Sequence, residues 1–570
     1  VSLDESNRAP ARPTRAHLVL ALAGFVFVLH ALHLAYPRED GYITFRFARN
    51  LAAGHGFVWN LGESPIEGFT SLLWLLISAA TIHMGADVVL VTQVLGVFAA
   101  LGTLWLTFGF ARQSMGVSSR AACVPVLLLA LSGPLAAWAG SSMEMTAFGF
   151  TVLLAVSSYA SHLRRPAHVW LLVSGLSLFA ATLLRPEGLM VFGVLAGLAC
   201  TVFLARTRAT VRHHLVWGLA YTIPLLLYIA WRLDAFEDPL PNTFYQKTGG
   251  GYWQHVRGVG YVIFFALFFL VPLVPLPVLL VWEKGHPDAR TLSRLGNWLR
   301  WANRNEGATM CVVFSLAYCA YNVYVGGDYM PMFRFMVPVL PFLYLLLAPV
   351  MDGLWSAVRG ARHKERLLVL IVLVAAGGTF IHSTPLEKSF YRKATWQLGN
   401  YRGVELDRWY NARFALIGEF FEGHRKGEAE SLATRSIGLI GYHAAHLAIH
   451  DLSGLTDRHI AHVEAESTPT GWTGHEKWDL DYSFGRLPTY VMLDENLVQE
   501  DIAQAWRSSS LADALDENYP NCRLTPWIRS HPDFVHENYE VKTARLKDEV
   551  NEEEGYFAFL ERKQPPRDSR

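Results

Sequence analysis

Residues 36–63 read YPREDGYITFRFARNLAAGHGFVWNLGE. They adjoin an apolar run at His17–Tyr36, open with adjacent carboxylates at Glu39 and Asp40, and then supply Arg46 and Arg49. From Asp40 onward, Ile43, Phe47 and Leu51 fall at i, i+4 and i+8, with Tyr42, Arg46, Arg49 and Asn50 on the other side. That spacing predicts an amphipathic helix, ended by the Gly-His-Gly at 54–56. Next to a hydrophobic run, such a helix is expected to lie along a membrane surface with its apolar stripe toward the lipid. Its two acids then stand at the N-terminus, where the helix dipole favours carboxylates. Capping acids and snorkelling arginines would explain one such loop taken alone.

The surrounding composition supports the membrane setting. The chain has 570 residues, of which 52% are hydrophobic and 17% charged, the balance of a polytopic membrane protein. Its formal net charge is zero, which gives no electrostatic reason to expect nucleic acid as a partner. Cys123, Cys200, Cys311 and Cys319 lie in or beside apolar runs and Cys522 stands alone in the polar tail, so the five cysteines suggest no disulfide framework.

Three arginines (Arg8, Arg12, Arg15) precede the first apolar run, which lacks a small-residue cleavage site and reads as an uncleaved signal anchor with a cytoplasmic N-terminus. Further candidate spans fall at roughly 69–84, 88–110, 122–139, 143–160, 168–184, 188–205, 215–232, 259–282, 309–325, 335–351 and 366–382. Most approach the length that crosses ~30 Å of hydrocarbon. The basic segments SHLRRPAH, ARTRATVRHH, the long 283–307 loop and RGARHKER are expected to face the cytoplasm. WAGSSMEM, LLRPEG, FEDPLPNTFYQK and YVGGDYMPMFRF then face outward. Alternation is clean from residue 122. Before it, Arg112 and Arg120 also call for the cytoplasm, which leaves one crossing too many or too few between 67 and 121. Either one apolar run there is interfacial or re-entrant, or those arginines mislead. The expected architecture is a mainly α-helical polytopic membrane protein of 10–12 spans over residues 1–382. A soluble α/β domain on the outer side follows over 383–570, where short β-branched runs alternate with helix-like stretches.

The outward segments share a composition. Besides Glu39 and Asp40 they carry Glu63, Glu67, Glu144, Arg185, Glu187, Asn242, Lys247, Asp328 and Arg334, several of them close to hydrocarbon. Charge there is expensive and usually faces a cavity. A lipid-phosphate-linked sugar fits such a layer. Its phosphate wants guanidinium or ammonium groups, an acceptor hydroxyl wants a carboxylate base, and a prenyl chain wants an apolar groove. A transporter gate is the competing class; internal repeats, which transporters often show, are not evident. A membrane scaffold with a partner-binding tail gives no reason for the repeated charge pairs.

EDGYITFRFARNLAAGHGFVWNLGESPIEGFTSLLW (39–74) resembles the first-loop motif of a bacterial, arabinofuranosyltransferase-like branch of the GT-C glycosyltransferases. GSSMEM, LLRPEG, PLPNTFYQK and VGGDYMPMFRFMVPVLP are similar to further motifs of that branch, as are IHDLSGLTDRHIAH and GHEK in the tail. The resemblance implies a GT-C fold and an inverting enzyme of the bacterial plasma membrane. It would move a sugar, arabinofuranose by first choice and a hexose such as mannose by second, from polyprenyl phosphate to a periplasmic glycan or glycoprotein. The catalytic acid of such enzymes transfers to Asp40 as general base, with Glu39, where relatives usually have a second Asp, as its neighbour. Arg46, Arg185, Arg334 and Lys247 are the candidates for the donor phosphate, and Glu144, Glu187, Asp328 and Asn242 for the sugar or for holding those cations. Asn60 is read first as a turn residue. No cofactor and no metal are predicted; the HAAH spacing at His443–His446 with His450 is weak for metal. Trp472 and Trp478 are weighed as carbohydrate stackers against the commoner buried role.

Overall fold

The computed structural model describes residues 15–203, 211–273, 305–381 and 401–563, apart from 359, 428, 467–473, 509 and 519–523. Trp472, Cys522 and most of the 283–307 loop lie outside the described residues. The first apolar run forms helix α1 (Arg15–Leu34), and the motif stretch forms α2 (Glu39–Ala52), with both acids in its first turn and Arg49 in its last. Gly54 and Gly56 take φ of +84° and +83°, a left-handed backbone that glycine adopts without steric cost, and the helix stops before them.

Six stretches among the described residues are long and apolar enough to cross a bilayer: Arg15–Leu34, Val88–Gln113, Met145–Arg164, Val211–Phe236, Glu306–Val325 and Arg334–Ser356. The run expected at 122–139 is not a straight span. Ser119–Ala130 and Gly133–Ala139 meet at a 59° bend. Pro134 opens the second piece, where its fixed φ starts a helix and its missing N–H cannot continue the previous one. Helices His168–Leu184, Glu187–Leu198, Gly251–Phe269 and Arg362–Ile381 occupy the other expected positions.

The run expected at 69–84 forms the short helix α3 (Leu72–His83). Twelve residues reach about 18 Å at 1.5 Å each, well short of the hydrocarbon thickness. α3 packs on α2, and the long apolar helix Val88–Gln113 follows it. Beyond that helix, Asp352 accepts the Ser118 amide (3.0 Å) and Arg120 lies 4.0 Å from Glu365.

Beyond the last apolar helix, Tyr401–Gly423 leads into a five-stranded sheet of order β2–β1–β3–β5–β4. The strands are β1 (Ser431–Thr434), β2 (Ala448–Asp451), β3 (Tyr490–Met492), β4 (Tyr539–Asp548) and β5 (Glu553–Arg562). β1 runs parallel to β2 and β3, and β5 is antiparallel to β3 and β4. The carboxyl ends of parallel strands are where open α/β sheets present ligand-contacting residues. Here those ends lead into Arg435–Ser436, Ser453 and Glu495, all of which line the cavity described below.

The sheet is not a separate bead. One apolar core runs from α2 and α3 (Ile43, Phe47, Leu75) through Trp59 and Phe69 to Ile440, Ile449 and Phe557. The apolar stripe of α2 therefore faces protein, contrary to the expectation that it would face lipid. Buried at about 1.5–3 kcal/mol per large apolar side chain, this core makes the contact a folding interface.

Close helix approach depends on small residues. A Cβ on Gly258 would meet backbone oxygens of Val323 and Asn322 (2.7 Å for the latter), whereas one on Gly260 would meet nothing within 4 Å. Backbone cannot move aside as a side chain can. Gly258→Ala is expected to destabilise the protein by about 1–3 kcal/mol and Gly260→Ala to leave stability equal or higher, as read by thermal melts of purified protein.

Candidate active site

A cavity of about 1760 Å³ lies between one end of the membrane helices and the strand ends of the sheet. Glu39, Asp40, Glu144, Arg185, Glu187, Lys247, Asp328 and Arg334 all line it. Residues separated by almost three hundred positions therefore share one chamber.

Trp138 is fully buried beneath two guanidinium groups, 4.5 Å from Arg38 and 5.6 Å from Arg334, and its indole N–H donates to the Met332 carbonyl (3.2 Å). The Arg38 amide donates to Ser141 (3.0 Å), which ties the start of α2 to the GSSMEM turn. Arg334 follows Met332 and Phe333, which hold φ of +61° and +46°. Such φ values in non-glycine residues are costly and persist only when surrounding packing fixes them. Both side chains are almost wholly buried, and the strained turn leads directly into Arg334. Gly326 and Gly327 (φ +88° and +70°) end the preceding helix, and a Cβ on Gly327 would lie 2.6 Å from the Tyr261 side chain.

Most of the charges are already matched. Arg185 donates to Glu144 (2.6 Å) and to Glu187 (2.7 and 3.0 Å). Arg334 lies 2.6 Å from Asp328 and 3.5 Å from Asp40. The Asp328 side chain is 2% exposed and the Asp40 side chain 25%. Arg334 is thus chiefly the partner of Asp328, and Asp40 keeps acceptor capacity toward the chamber. Lys247 differs from these: among the described residues it has neither a hydrogen bond nor an ion pair. Burial, reinforced by the Arg334 charge, lowers its pKa.

The structure places two expected ligand-binding residues elsewhere. Arg46 is 3% exposed and does not line the cavity; it donates to the carbonyls of Trp59 (3.2 Å), Gly441 (2.5 Å) and Leu447 (2.8 Å) and to Asn60 (3.1 Å). Asn242 donates to Gly454 (2.9 Å) and Leu455 (2.8 Å) and likewise lies outside the lining. It anchors the short helix Asn242–Lys247, which Lys477 also holds through the Tyr245 carbonyl (2.9 Å). The tail segments around 453–457 and 474–477 therefore set where Lys247 stands. Asn60 is more than a turn residue: it accepts the Ile449 amide (2.8 Å) and donates to the Ile449 carbonyl (3.0 Å), pairing with β2 as a neighbouring strand would.

Sequence reasoning missed Arg38, Asp407, Arg232 and the cavity face of the tail. Arg38 is 1% exposed, stacks 4.0 Å from the Tyr36 ring and pairs with Asp407 of helix Tyr401–Gly423. Arg232 pairs with Glu67 at 2.5 Å. Arg38 sits next to the two acids in sequence and was the legible one; nothing local marks Asp407. In the tail, His446 bonds to Glu422 (2.9 Å), Trp478 donates to Glu466 (3.0 Å), and no group of three or more metal-type side chains converges among the described residues.

Glu39 accepts the Gly438 amide at 2.6 Å. Burial, then the Asp40 charge, pushes its carboxyl up to about 8. The unfolded chain releases this proton near 4.5 and the folded chain near 8, so between those values the folded state binds more protons and stability falls as pH rises. Wild type is therefore expected to lose more thermal stability than Glu39→Gln on going from pH 5 to pH 8; parallel melts of the two proteins check this.

A family model described as a domain of unknown function (DUF8728) matches residues 400–548, from helix Tyr401–Gly423 to the end of β4. The chain is 27% identical over 334 residues to a terminal β-(1→2)-arabinofuranosyltransferase of Mycobacterium tuberculosis, covering 55% of this chain and 51% of that protein. It is 25% identical over 416 residues to the enzyme of that name from Corynebacterium glutamicum, covering 65% and 54%. The chain thus spans about half the length of the curated relatives it matches. Among solved structures, ArnT from Cupriavidus metallidurans bound to undecaprenyl phosphate superposes with a TM-score of 0.49 at 15% identity, over 86% of this chain and 94% of that one. AglB from Archaeoglobus fulgidus, in complex with an inhibitory peptide and a dolichol-phosphate, gives 0.48 at 12%, over 95% and 74%. By sequence, the chain is similar to terminal arabinofuranosyltransferases.

Proposed function

We propose that the protein is an integral-membrane glycosyltransferase of the GT-C type. It takes arabinofuranose from polyprenyl phosphate and transfers it, with inversion, to a glycan hydroxyl on the extracytoplasmic side of a bacterial plasma membrane. The observation that carries this reading is the pairing pattern of the chamber. Arg185 and Arg334 are matched to carboxylates, Asp40 is partly open, and among the described residues the lining cations Lys247 and Arg435 have no ion pair. A site of that kind accepts one anionic group and one hydroxyl donor. The arabinofuranosyl choice rests on the two curated relatives.

In this mechanism the acceptor oxygen attacks the anomeric carbon from the face opposite the phosphate, and Asp40 takes the hydroxyl proton as general base. The bond between the anomeric carbon and the phosphate oxygen breaks, and its electron pair leaves on polyprenyl phosphate. The donor is a phosphodiester with one charge and the departing phosphomonoester carries a second. Lys247 lies where a fixed cation would stabilise that added charge in a low-dielectric chamber. The prenyl chain would follow Leu225, Ile229 and Phe264, which carry the lining onto the membrane helices. Only 11% of the apolar window of Val211–Phe236, which bears two of these residues, is buried against protein, so its remaining surface suits lipid. Arg435 meets the chamber from the tail side, where the acceptor would approach.

Cleavage of polyprenyl-phosphate arabinofuranose by the purified protein is the test. Asp40→Asn is expected to lower kcat by roughly 10²–10⁴-fold, the range a positioned base contributes. Lys247→Gln is expected to raise the donor KM and lower kcat together, because it loses charge stabilisation in both ground and transition states. Cleavage by Asp40→Asn at the wild-type rate would overturn the assignment of the base.

A further inference from the structure

Helix α2 meets the C-terminal domain along the short helix Gly438–His443, and the polar contacts fall at both ends of that helix. At its start, the Glu39 carboxyl accepts the Gly438 amide at 2.6 Å. At its end, Arg46 donates to the Gly441 carbonyl (2.5 Å) and Arg49 to the Tyr442 carbonyl (2.8 Å). Glu39 and Arg46 are two turns apart and so share a face of α2. A carboxyl acceptor at the amide end and guanidinium donors at the carbonyl end satisfy orphan backbone groups of the helix they hold. Gly438 admits the contact because it lacks a Cβ. A Cβ there would run into the Glu39 carbonyl oxygen and come within 2.6 Å of its Oε1. The approach to α2 is tethered in the same way: Asn411 donates to Pro37 (2.5 Å), Arg408 donates to His33 (2.8 Å), and Arg38 pairs with Asp407. Asp40 thus lies between two backbone segments that the C-terminal domain holds on both sides.

We propose that Glu39 is a positioning residue, not a second catalytic acid: it grips the first amide of Gly438–His443, and with Arg46 and Arg49 it clamps the C-terminal domain onto α2 so that the docked domain fixes the turn carrying Asp40. The acid–base pattern of the first-loop motif is, on this account, a docking pattern in which Asp40 keeps its acceptor capacity for the chamber. The proposal rests on the glycosyltransferase reading for its activity measurement and on amide exchange for an independent one.

The test uses the full-length protein in nanodiscs, with polyprenyl-phosphate arabinofuranose as probe and hydrogen–deuterium exchange across residues 437–443. Glu39→Ala and Gly438→Ala are expected to lower kcat roughly tenfold or more with donor KM nearly unchanged, because the base is misplaced while the donor site stays intact. Amide 438 should exchange about tenfold faster in both variants. Glu39→Gln keeps an acceptor oxygen of the same reach and should restore both readouts to within about threefold of wild type. The proposal is overturned if Glu39→Gln loses as much turnover as Glu39→Ala while amide 438 stays protected, since Glu39 would then act on the substrate. It is equally overturned if Glu39→Ala turns over and exchanges like wild type. A wild-type rate for Asp40→Asn would instead refute the catalytic reading and leave the exchange result to judge the clamp.

Discussion

Charge held beside hydrocarbon must be paired or must face a polar space, and that constraint organises the chamber end of this molecule. Arg185 is held by two carboxylates, Arg334 by Asp328 with Asp40 more distant, Arg38 by Asp407 and Arg232 by Glu67. Arg185–Glu144, Arg334–Asp40, Arg38–Asp407 and Arg232–Glu67 also tie together segments far apart in sequence, so these ion pairs that make the chamber tolerable are ties that shape it. Within this arrangement an ammonium group without a partner stands out, and Lys247 is that group among the sequence-predicted cations. The functional account follows from this imbalance.

The chamber belongs to two parts of the chain at once. Membrane helices supply Glu144, Arg185 and Arg334, while the carboxyl ends of the parallel strands close it from the other side with Ser436, Ser453 and Glu495. Between them α2 is covered on both faces, and a single apolar core runs from α3 to β5. The position of Lys247 depends on the tail through Asn242 and Tyr245, and the turn of Asp40 depends on it through Gly438. The C-terminal domain thus forms part of the chamber wall and holds both the turn of Asp40 and the helix of Lys247.

Much of this was legible from sequence because the same rule of charge beside hydrocarbon picked out Asp40, Glu144, Arg185, Glu187, Lys247, Asp328 and Arg334, which all reach one cavity. The rule misread Arg46 and Asn242 for a physical reason. A buried guanidinium is satisfied as well by backbone carbonyls as by a ligand, and the Gly441 carbonyl lies 395 residues further along the chain. Periodicity showed that α2 has an apolar stripe but not what covers it, since lipid and a folded domain ask for the same residues. Pro134 and Gly133 were visible signs that the 122–139 run would bend. Asp407 had no local sign at all, because its partner is set by tertiary contact alone.

The most direct test of the central claim is a cryo-electron microscopy map of the full chain with polyprenyl phosphate bound. The account predicts the phosphate within hydrogen-bond reach of the Lys247 ammonium, the prenyl chain along Leu225, Ile229 and Phe264, and Asp40 on the opposite side of the space left for the sugar. A phosphate seated on Arg46, or anywhere outside the chamber with Lys247 still unpaired, would contradict it.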